Sequence, residues 1–555
     1  MQAARYLSVR TRLALVLALV SSVFAVYSRS LNFQFILDDH RYTSDPRIQE
    51  WGHVWDYFAN YVWAQFVGGP NSFYRPVFLL WLRINFILAG LSPWGWHLLS
   101  IAKHIAVALL LGLLVWKLLE DWISGFLAAT LFVLHPAQTE SVSWVAVPDP
   151  LMAAGLLGAI LFYLTYVGYR SSGTKTVDKK YRRKNGSRAL KPSPLWLAAA
   201  TGVYFAALLS KETAVVFLPV IFGIAFIALR SEATEDATWA VRLRQALQHS
   251  LPFACVTVVY FLLRFHALGG KVVSTTQELP WRTQVFSWPA ILWFYVKAML
   301  WPVKSYSFAD PILIDKFSVR GVLFPLFALA IFAAAVAVGL RWAWRKAHSG
   351  LKAQQLVGIK VALVAGTSLL ILPLLPALDL NALNPGDFLH GRYTYLPLIG
   401  LMLLLATAWR LLAKHRLLLL SAAGVIAALF IVLTLSQLGQ WQDDATVFAT
   451  AHRLAPHNAP VARNLADTSV VAALHLQEEG RCSEAIPMFD QVIQDYPDDW
   501  YAWAARGVCY VQLNDLIKAE ESLHRAADIS HNRRVVEQWE ELRNHMGLPN
   551  PGPAN

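Results

Sequence analysis

Charge is scarce in this chain. Asp, Glu, Lys and Arg make up 15% of 555 residues, against about 25% in an ordinary soluble domain. A surface that small in charge cannot keep a chain of this length in water. Cysteine is scarcer still, with Cys255, Cys482 and Cys509 alone. Three cysteines exclude a disulfide framework, and with no CxxC or Cys/His cluster a structural zinc site is excluded too. Pairing of Cys482 with Cys509 requires that their segment lie in an oxidising compartment. Acidic residues are outnumbered, 36 to 48, for a net charge of +12. In a soluble protein that excess would point to nucleic acid, but no RNA- or DNA-binding motif is present. Basic loops on the cytoplasmic side of a membrane explain the charge instead.

What is abundant agrees. Hydrophobic residues reach 56%, and there are 22 Trp, a residue enriched at membrane–water boundaries. Apolar runs of spanning length fall at 11–27, 94–117, 122–135, 146–169, 195–210, 213–229, 251–267, 319–340, 359–376, 394–412 and 417–437. The first follows Arg5, Arg10 and Arg12 and has no clear cleavage site after it, so it reads as an uncleaved span with a cytoplasmic N-terminus. Segment 170–194 carries nine Lys and Arg against Asp178 and is the strongest cytoplasmic loop. Segments 230–250, 341–358 and 410–416, also basic, follow on that side by alternation. Residues 284–302 would upset this order if they crossed, so they read as a re-entrant or interfacial helix. The expected fold is all-α: a polytopic membrane domain of about eleven helices over 1–440, then extracytoplasmic helical repeats over 441–545 and a disordered tail over 546–555.

The repeats show in the spacing. Gly480, Ala485, Phe489 and Val492 recur as Asn514, Ala519, Leu523 and Ala526, each 34 residues on, a tetratricopeptide-like period. With Trp503, Gly507 and Tyr510 the second unit has the small and aromatic positions of such a hairpin. A degenerate helix pair over 441–475 is expected to complete the core.

The unusual polar residues all map to the non-cytoplasmic face: Asp38-Asp39, then His135, Glu140 and Asp149, then Lys211-Glu212, then Asp387, His390 and Arg392. Ionisable groups at membrane depth are costly and mark function by default, yet each has a plain reading. Asp38-Asp39 suits a helix cap or turn as well as a general base, and His135 before Pro136 suits a carbonyl-bonding helix end. Glu140 suits a cap, and Lys211-Glu212 an interfacial pair with a snorkelling lysine. Arg392 suits a headgroup anchor. His97 and His104, one heptad apart, suit interhelical hydrogen bonds. Together they make one chemistry: Lys211 and Arg392 holding a lipid-linked phosphate while a carboxylate deprotonates an acceptor hydroxyl.

Six segments carry a resemblance: LDDHRYTSDPRI (37–48), FYRPVFLLWLRINFILAGLSPWGWHLLSIAKH (73–104), LHPAQTESVSWVAVPDPLMAA (134–154), LSKETAVVFLPV (209–220), GRYTYLPLIG (391–400) and WQDDATVF (441–448). In this order they resemble the transmembrane and tetratricopeptide-repeat O-mannosyltransferases and their bacterial relatives, of the glycosyltransferase C superfamily. The chain departs from that family at Val145-Ala146-Val147-Pro148-Asp149, where a Gly-Arg-rich stretch is usual, and in its short repeat array. The resemblance implies a polyprenyl-phosphate sugar as donor, a protein or peptide hydroxyl as acceptor, and transfer of mannose or another hexose on the outer face. It assigns acceptor activation to Asp38 and Asp39 and the donor phosphate to Lys211 and Arg392. His135, Glu140, Glu212, Arg75 and His97 would shape the site. No cofactor is required; a divalent metal, Mg or Mn, has a place beside the paired acids, but no motif demands it. The short repeats and the absence of a retention signal favour a bacterial inner membrane, repeats in the periplasm, over the endoplasmic reticulum.

Rival readings differ in what they leave unexplained. A transporter or flippase would centre its charges at the midplane of two related halves. A non-catalytic scaffold would use the repeats but not the acids. An envelope glycan or lipid glycosyltransferase, or polymerase, would share the donor and differ in acceptor.

Overall fold

The computed structural model describes residues 7–64, 73–169, 193–228, 239–270, 278–304, 312–349, 351–382 and 389–549. The basic segment 170–192, Arg230, Asp387 and residues 550–555 lie outside the described residues. Two compact units divide the chain, residues 1–443 and 444–555.

In the first unit α1 (Val9–Tyr27) leads into a segment with the short helices α2 (Asp38–Thr43), α3 (Pro46–Gln49) and α4 (Asp56–Ala59). Then come α5 (Pro76–Ala89), α6 (Pro93–Leu119), α7 (Trp122–Val133), the short α8 (Thr139–Ser143), α9 (Asp149–Tyr166), α10 (Pro194–Leu208) and α11 (Phe217–Ala228). The unit continues through α12 (Trp239–Ala267), α13 (Trp281–Leu300), α14 (Phe324–His348), α15 (Ala353–Ile371), α16 (Tyr395–Leu411) and α17 (Arg416–Leu438). Among the described residues every regular element is helical.

Among the described residues eight helices are long and apolar enough to cross a membrane: those at Val9–Asn32, Pro93–Leu119, Asp149–Tyr166, Trp239–Ala267, Val319–His348, Gln355–Leu378, Gly391–Leu411 and Ala413–Trp441. They take up eight of the eleven expected spans. The other three coincide with α7, α10 and the helix at Glu212–Ala228, which are apolar but short. At 12 residues, α7 rises only about 18 Å against a hydrocarbon core of ~30 Å. Pro136, just after it, stops the helix early. Pro76–Ala89 is a fourth short apolar helix, which the run-length reading did not anticipate. Trp281–Leu300 is helical but carries Arg282, Gln284, Lys297 and an interior Pro289, and it is not among the eight.

Backbones approach closely where side chains are absent. A Cβ on Gly125 would stand 2.7 Å from the Gly112 carbonyl oxygen, and one on Gly400 would stand 2.5 Å from that of Gly366. These contacts seat α7 on α6 and α16 on α15, the use small residues have between helices in lipid, where dispersion replaces the hydrophobic effect.

The second unit stacks α18 (Asp444–Leu454), α19 (Ala459–Glu478), α20 (Cys482–Asp495), α21 (Trp500–Gln512), α22 (Leu516–Ser530) and α23 (Arg533–His545). The 34-residue period has a backbone cause. Gly480 and Asn514 both turn the chain between helices at positive φ, +76° and +59°, a conformation that Gly and Asn tolerate. Ala485, Phe489 and Val492 bury in one cluster and Ala519, Leu523 and Ala526 in the next. The pair over 441–475 is present as α18 and α19. Cys482 and Cys509 are joined in a disulfide that ties α20 to α21. Of the tail expected to be disordered from 546, residues 546–549 are described and are held: Leu548 N–H donates to the Arg543 carbonyl behind Gly547, and the Arg543 side chain donates to the Pro549 carbonyl.

Candidate active site

Leu37 has φ 52° and ψ −125°, a strained conformation for a residue with a Cβ. It turns the chain so that α2 starts with Asp38 and Asp39. Asp39 is fully buried. Its Oδ2 accepts the Ile36 N–H at 3.2 Å and its Oδ1 accepts the Ala146 N–H at 2.9 Å, so the segments that follow α1 and α8 are joined through one carboxyl. Asp38, half-buried, is left as the more accessible acid of the two. Burial pushes the Asp39 carboxyl up to about 8; the Ile36 and Ala146 N–H groups oppose this, and neighbouring Asp38 adds to it.

That shift has a sign that can be tested. An aspartate near 4 in the unfolded chain and about 8 in the fold keeps a proton in the native state that the unfolded state has released. Its contribution to stability is full below about pH 4 and is lost as pH rises through about 8. The fall in apparent melting temperature between about pH 5 and about pH 8 is expected to be shallower in Asp39→Asn than in the parent protein. Equal slopes in detergent-solubilised samples of the two would show that Asp39 is ionised throughout.

Three cation–carboxylate pairs surround this loop junction. Arg75, at the N-cap of α5, grips Glu212 with two bonds, Nη2 to Oε1 at 2.6 Å and Nε to Oε2 at 3.0 Å. Lys211 Nζ meets both oxygens of Asp149, the first residue of α9, at 2.6 and 2.7 Å. Arg392 donates to Glu140 twice, from its backbone N–H at 3.2 Å and from Nη1 at 3.4 Å, while His390 Nδ1 donates to Glu140 Oε1 at 3.0 Å. Lys211 feels the charges of both Arg392 and Arg75, and Asp149 acts on Arg75 as well as on Lys211. Two aromatic rings bind the cluster: Arg392 lies 4.5 Å from the Trp144 ring centroid, and Lys211 lies 5.1 Å from that of Tyr393.

The structure gives several of the sequence candidates partners that their neighbours in the chain do not suggest. Lys211 and Glu212 do not pair with each other or snorkel; adjacent residues point apart, and each finds a distant partner. Glu140 is not merely a cap, because it fixes the Gly391-Arg392 turn about 250 residues away. Lys211 and Arg392, assigned to a donor phosphate, each already hold a carboxylate. His135 is committed structurally: Nε2 donates to the Met299 carbonyl at 3.0 Å and Nδ1 accepts the Ala137 N–H at 3.2 Å, which fixes a neutral tautomer. His97 Nε2 reaches the Gln34 carbonyl at 3.4 Å, propping the segment that leads into Asp38. His104 bridges Tyr395 Oη and the Val133 carbonyl.

Asp149 and His390, which the sequence placed on this face without a role, are integral to the pairs. Missed altogether was Lys103 on α6, buried and within electrostatic range of Asp39 and Asp149. Its signal was a lysine inside an apolar run, one residue before His104. Beside the pairs, the buried side chains of Gln138, Ser141 and Ser143 have polar atoms without a hydrogen-bond partner among the described residues. Among the described residues no group of three or more His, Cys, Asp or Glu is placed to hold a metal ion.

Comparison with known proteins follows this geometry. Residues 476–537 match the tetratricopeptide repeat model. Protein O-mannosyl-transferase TMTC3 of Homo sapiens is 25% identical over 533 residues, covering 91% of this chain and 54% of the relative. Its Mus musculus counterpart is 24% identical over 541 residues, with 91% and 53% covered. Protein O-mannosyl-transferase TMTC2 of Mus musculus reaches 33% over 154 residues, 26% of this chain and 17% of the relative. The chain therefore spans about half the length of the first two relatives, while nine-tenths of its own length aligns with them. A helical, multi-pass membrane unit followed by tetratricopeptide repeats thus aligns along nine-tenths of its length with protein O-mannosyl-transferases, to which it is similar.

Proposed function

We propose that this protein transfers a hexose, with mannose as the first candidate, from a polyprenyl-phosphate donor to a hydroxyl of a protein acceptor on the non-cytoplasmic face. The observation that supports the reading is a carboxylate-anchored set of cations built from Arg75, Lys211 and Arg392, with the half-buried Asp38 adjoining Asp39 in the chain and acting, as Arg75 does, on Tyr42. The printed names of the relatives, protein O-mannosyl-transferases, favour the sugar and the acceptor class.

In this mechanism Asp38 takes the proton of the acceptor hydroxyl. The acceptor oxygen bonds to the anomeric carbon as the bond from that carbon to the phosphate oxygen breaks, its electron pair staying on the phosphate. A phosphate is a weak base, so the leaving group needs charge stabilisation more than a proton. Cations therefore stand where a glycosidase places its acid. Asp39, anchored by two backbone N–H groups, positions Asp38 and is not the base. The polar side chains of Gln138, Ser141 and Ser143 offer hydrogen bonds of the kind sugar hydroxyls accept and donate. The repeats would hold the polypeptide acceptor. The Cys482–Cys509 disulfide favours an oxidising compartment for them.

The test is transfer of radiolabelled hexose from a panel of polyprenyl-phosphate sugars into membrane protein by the full chain in lipid. Label in protein, dependent on the lipid donor and strongest with mannose, is the expected result. Label only in lipid or glycan would move the acceptor to the envelope. No transfer from any donor by correctly inserted protein would overturn the enzyme reading.

A further inference from the structure

Lys103 is a buried charged side chain that none of the three pairs takes up. It sits in the third turn of α6, is 6% exposed, and its Nζ has no hydrogen-bond partner among the described residues. Its nearest polarisable neighbour is the Trp81 ring, 5.6 Å away. The two carboxyl groups whose charges it feels, Asp39 and Asp149, are engaged elsewhere. Both Asp39 oxygens accept backbone N–H groups, and both Asp149 oxygens are held by Lys211. A buried ammonium with no ion-pair or hydrogen-bond partner is expensive, and at membrane depth it marks function rather than packing.

From this geometry we infer that Lys103 is the cation that receives the leaving phosphate of the lipid donor, with Lys211, Arg75 and Arg392 forming the fixed positive wall around it. The inference rests on the lipid-phosphate reading given above. The chemistry suits an uncommitted cation. In the donor the phosphate is a diester with one negative charge. When the bond to the anomeric carbon breaks, the electron pair stays on the phosphate oxygen and the monoester gains a second charge. A cation already held by a carboxylate gains little from that change. Lys103 forms a charge-assisted bond that strengthens as the charge develops, which is differential stabilisation of the transition state. Being within electrostatic range of Asp39 and Asp149, it would receive the phosphate near α2, on which Asp38 stands.

The experiment uses the full chain in nanodiscs and a photoreactive polyprenyl phosphate, displaced in parallel by farnesyl phosphate and by farnesol. In the parent protein farnesyl phosphate is expected to compete about tenfold or more better than farnesol, and Lys103→Met to lose about tenfold of that preference, with Lys103→Arg keeping most of it. A Lys103→Met protein with the parent's preference would overturn the assignment and leave the lipid-phosphate reading standing. A parent protein indifferent to the phosphate would overturn that reading and the inference with it. Should Lys103→Met fail to insert, amine acylation of Lys103 in the parent protein is followed by mass spectrometry. Slowing by farnesyl phosphate and not by farnesol supports the assignment, and equal rates overturn it.

Discussion

Asp38→Asn is expected to insert and fold as the parent protein does while losing about 10²–10⁴-fold in transfer rate, the range for removal of a positioned general base. The reasons are local. Asp38 is half-buried at the first turn of α2, so an isosteric amide there buries no new charge. The structural duty of the acidic pair falls on Asp39, whose two oxygens tie Ile36 to Ala146. Asp38→Asn should therefore lower kcat at nearly constant donor KM, whereas Asp39→Asn disturbs the loop junction and shifts both. Parent-like turnover in Asp38→Asn, with melting unchanged, would take the base away from this position.

Lys211→Met is expected to produce the largest loss of stability, about 3–5 kcal/mol, the cost of leaving one partner of a buried ion pair uncompensated. Both side chains of the Lys211–Asp149 pair are 5% exposed, so solvent cannot rescue the orphaned Asp149. Lys103, within range of Asp149, sets the low end of that loss by turning toward it. The double change Lys211→Met/Asp149→Asn should recover most of the stability, since a buried pair replaced as a whole is often near neutral. It should not recover donor use, because the positive wall stays diminished. Chemical-denaturant or thermal profiles of the two variants, read beside donor dependence, separate the roles. A double variant as unstable as the single one would show that packing, not charge, accounts for the loss.

How much of this was legible in the sequence depended on contrast. Asp38-Asp39, Lys211-Glu212 and Arg392 stand out because they interrupt apolar text, and their shared face follows from loop charge. The repeat was legible because two left-handed turns, at Gly480 and Asn514, must recur at a fixed spacing. Partnership was not legible. Lys211 adjoins Glu212 in the chain yet pairs with Asp149, and Glu212 pairs with Arg75, 137 residues before it. Contacts at such separations are set by helix packing, which one sequence does not print. The short span was legible too: Asp121 and Pro136 bound the apolar run 122–135, and α7 fills it to Val133. Lys103 was hidden by its surroundings, since one lysine in a long apolar helix reads as tolerated noise.

The Glu140 contacts also bear on how the protein is made. Arg75 is synthesised before Glu212, and Asp149 waits only 62 residues for Lys211, but Glu140 waits 250 for His390. At roughly 5–20 residues per second, the ribosome needs on the order of 10–50 s to deliver that partner. A nascent chain therefore holds two of its three pairs early and the third only when the penultimate long helix enters the bilayer. Until then Glu140 lacks the Gly391-Arg392 turn that it anchors, so under the proposed function the cation set closes around a lipid phosphate only afterwards. On that reading competence comes on late in biogenesis, after most of the membrane unit has been made.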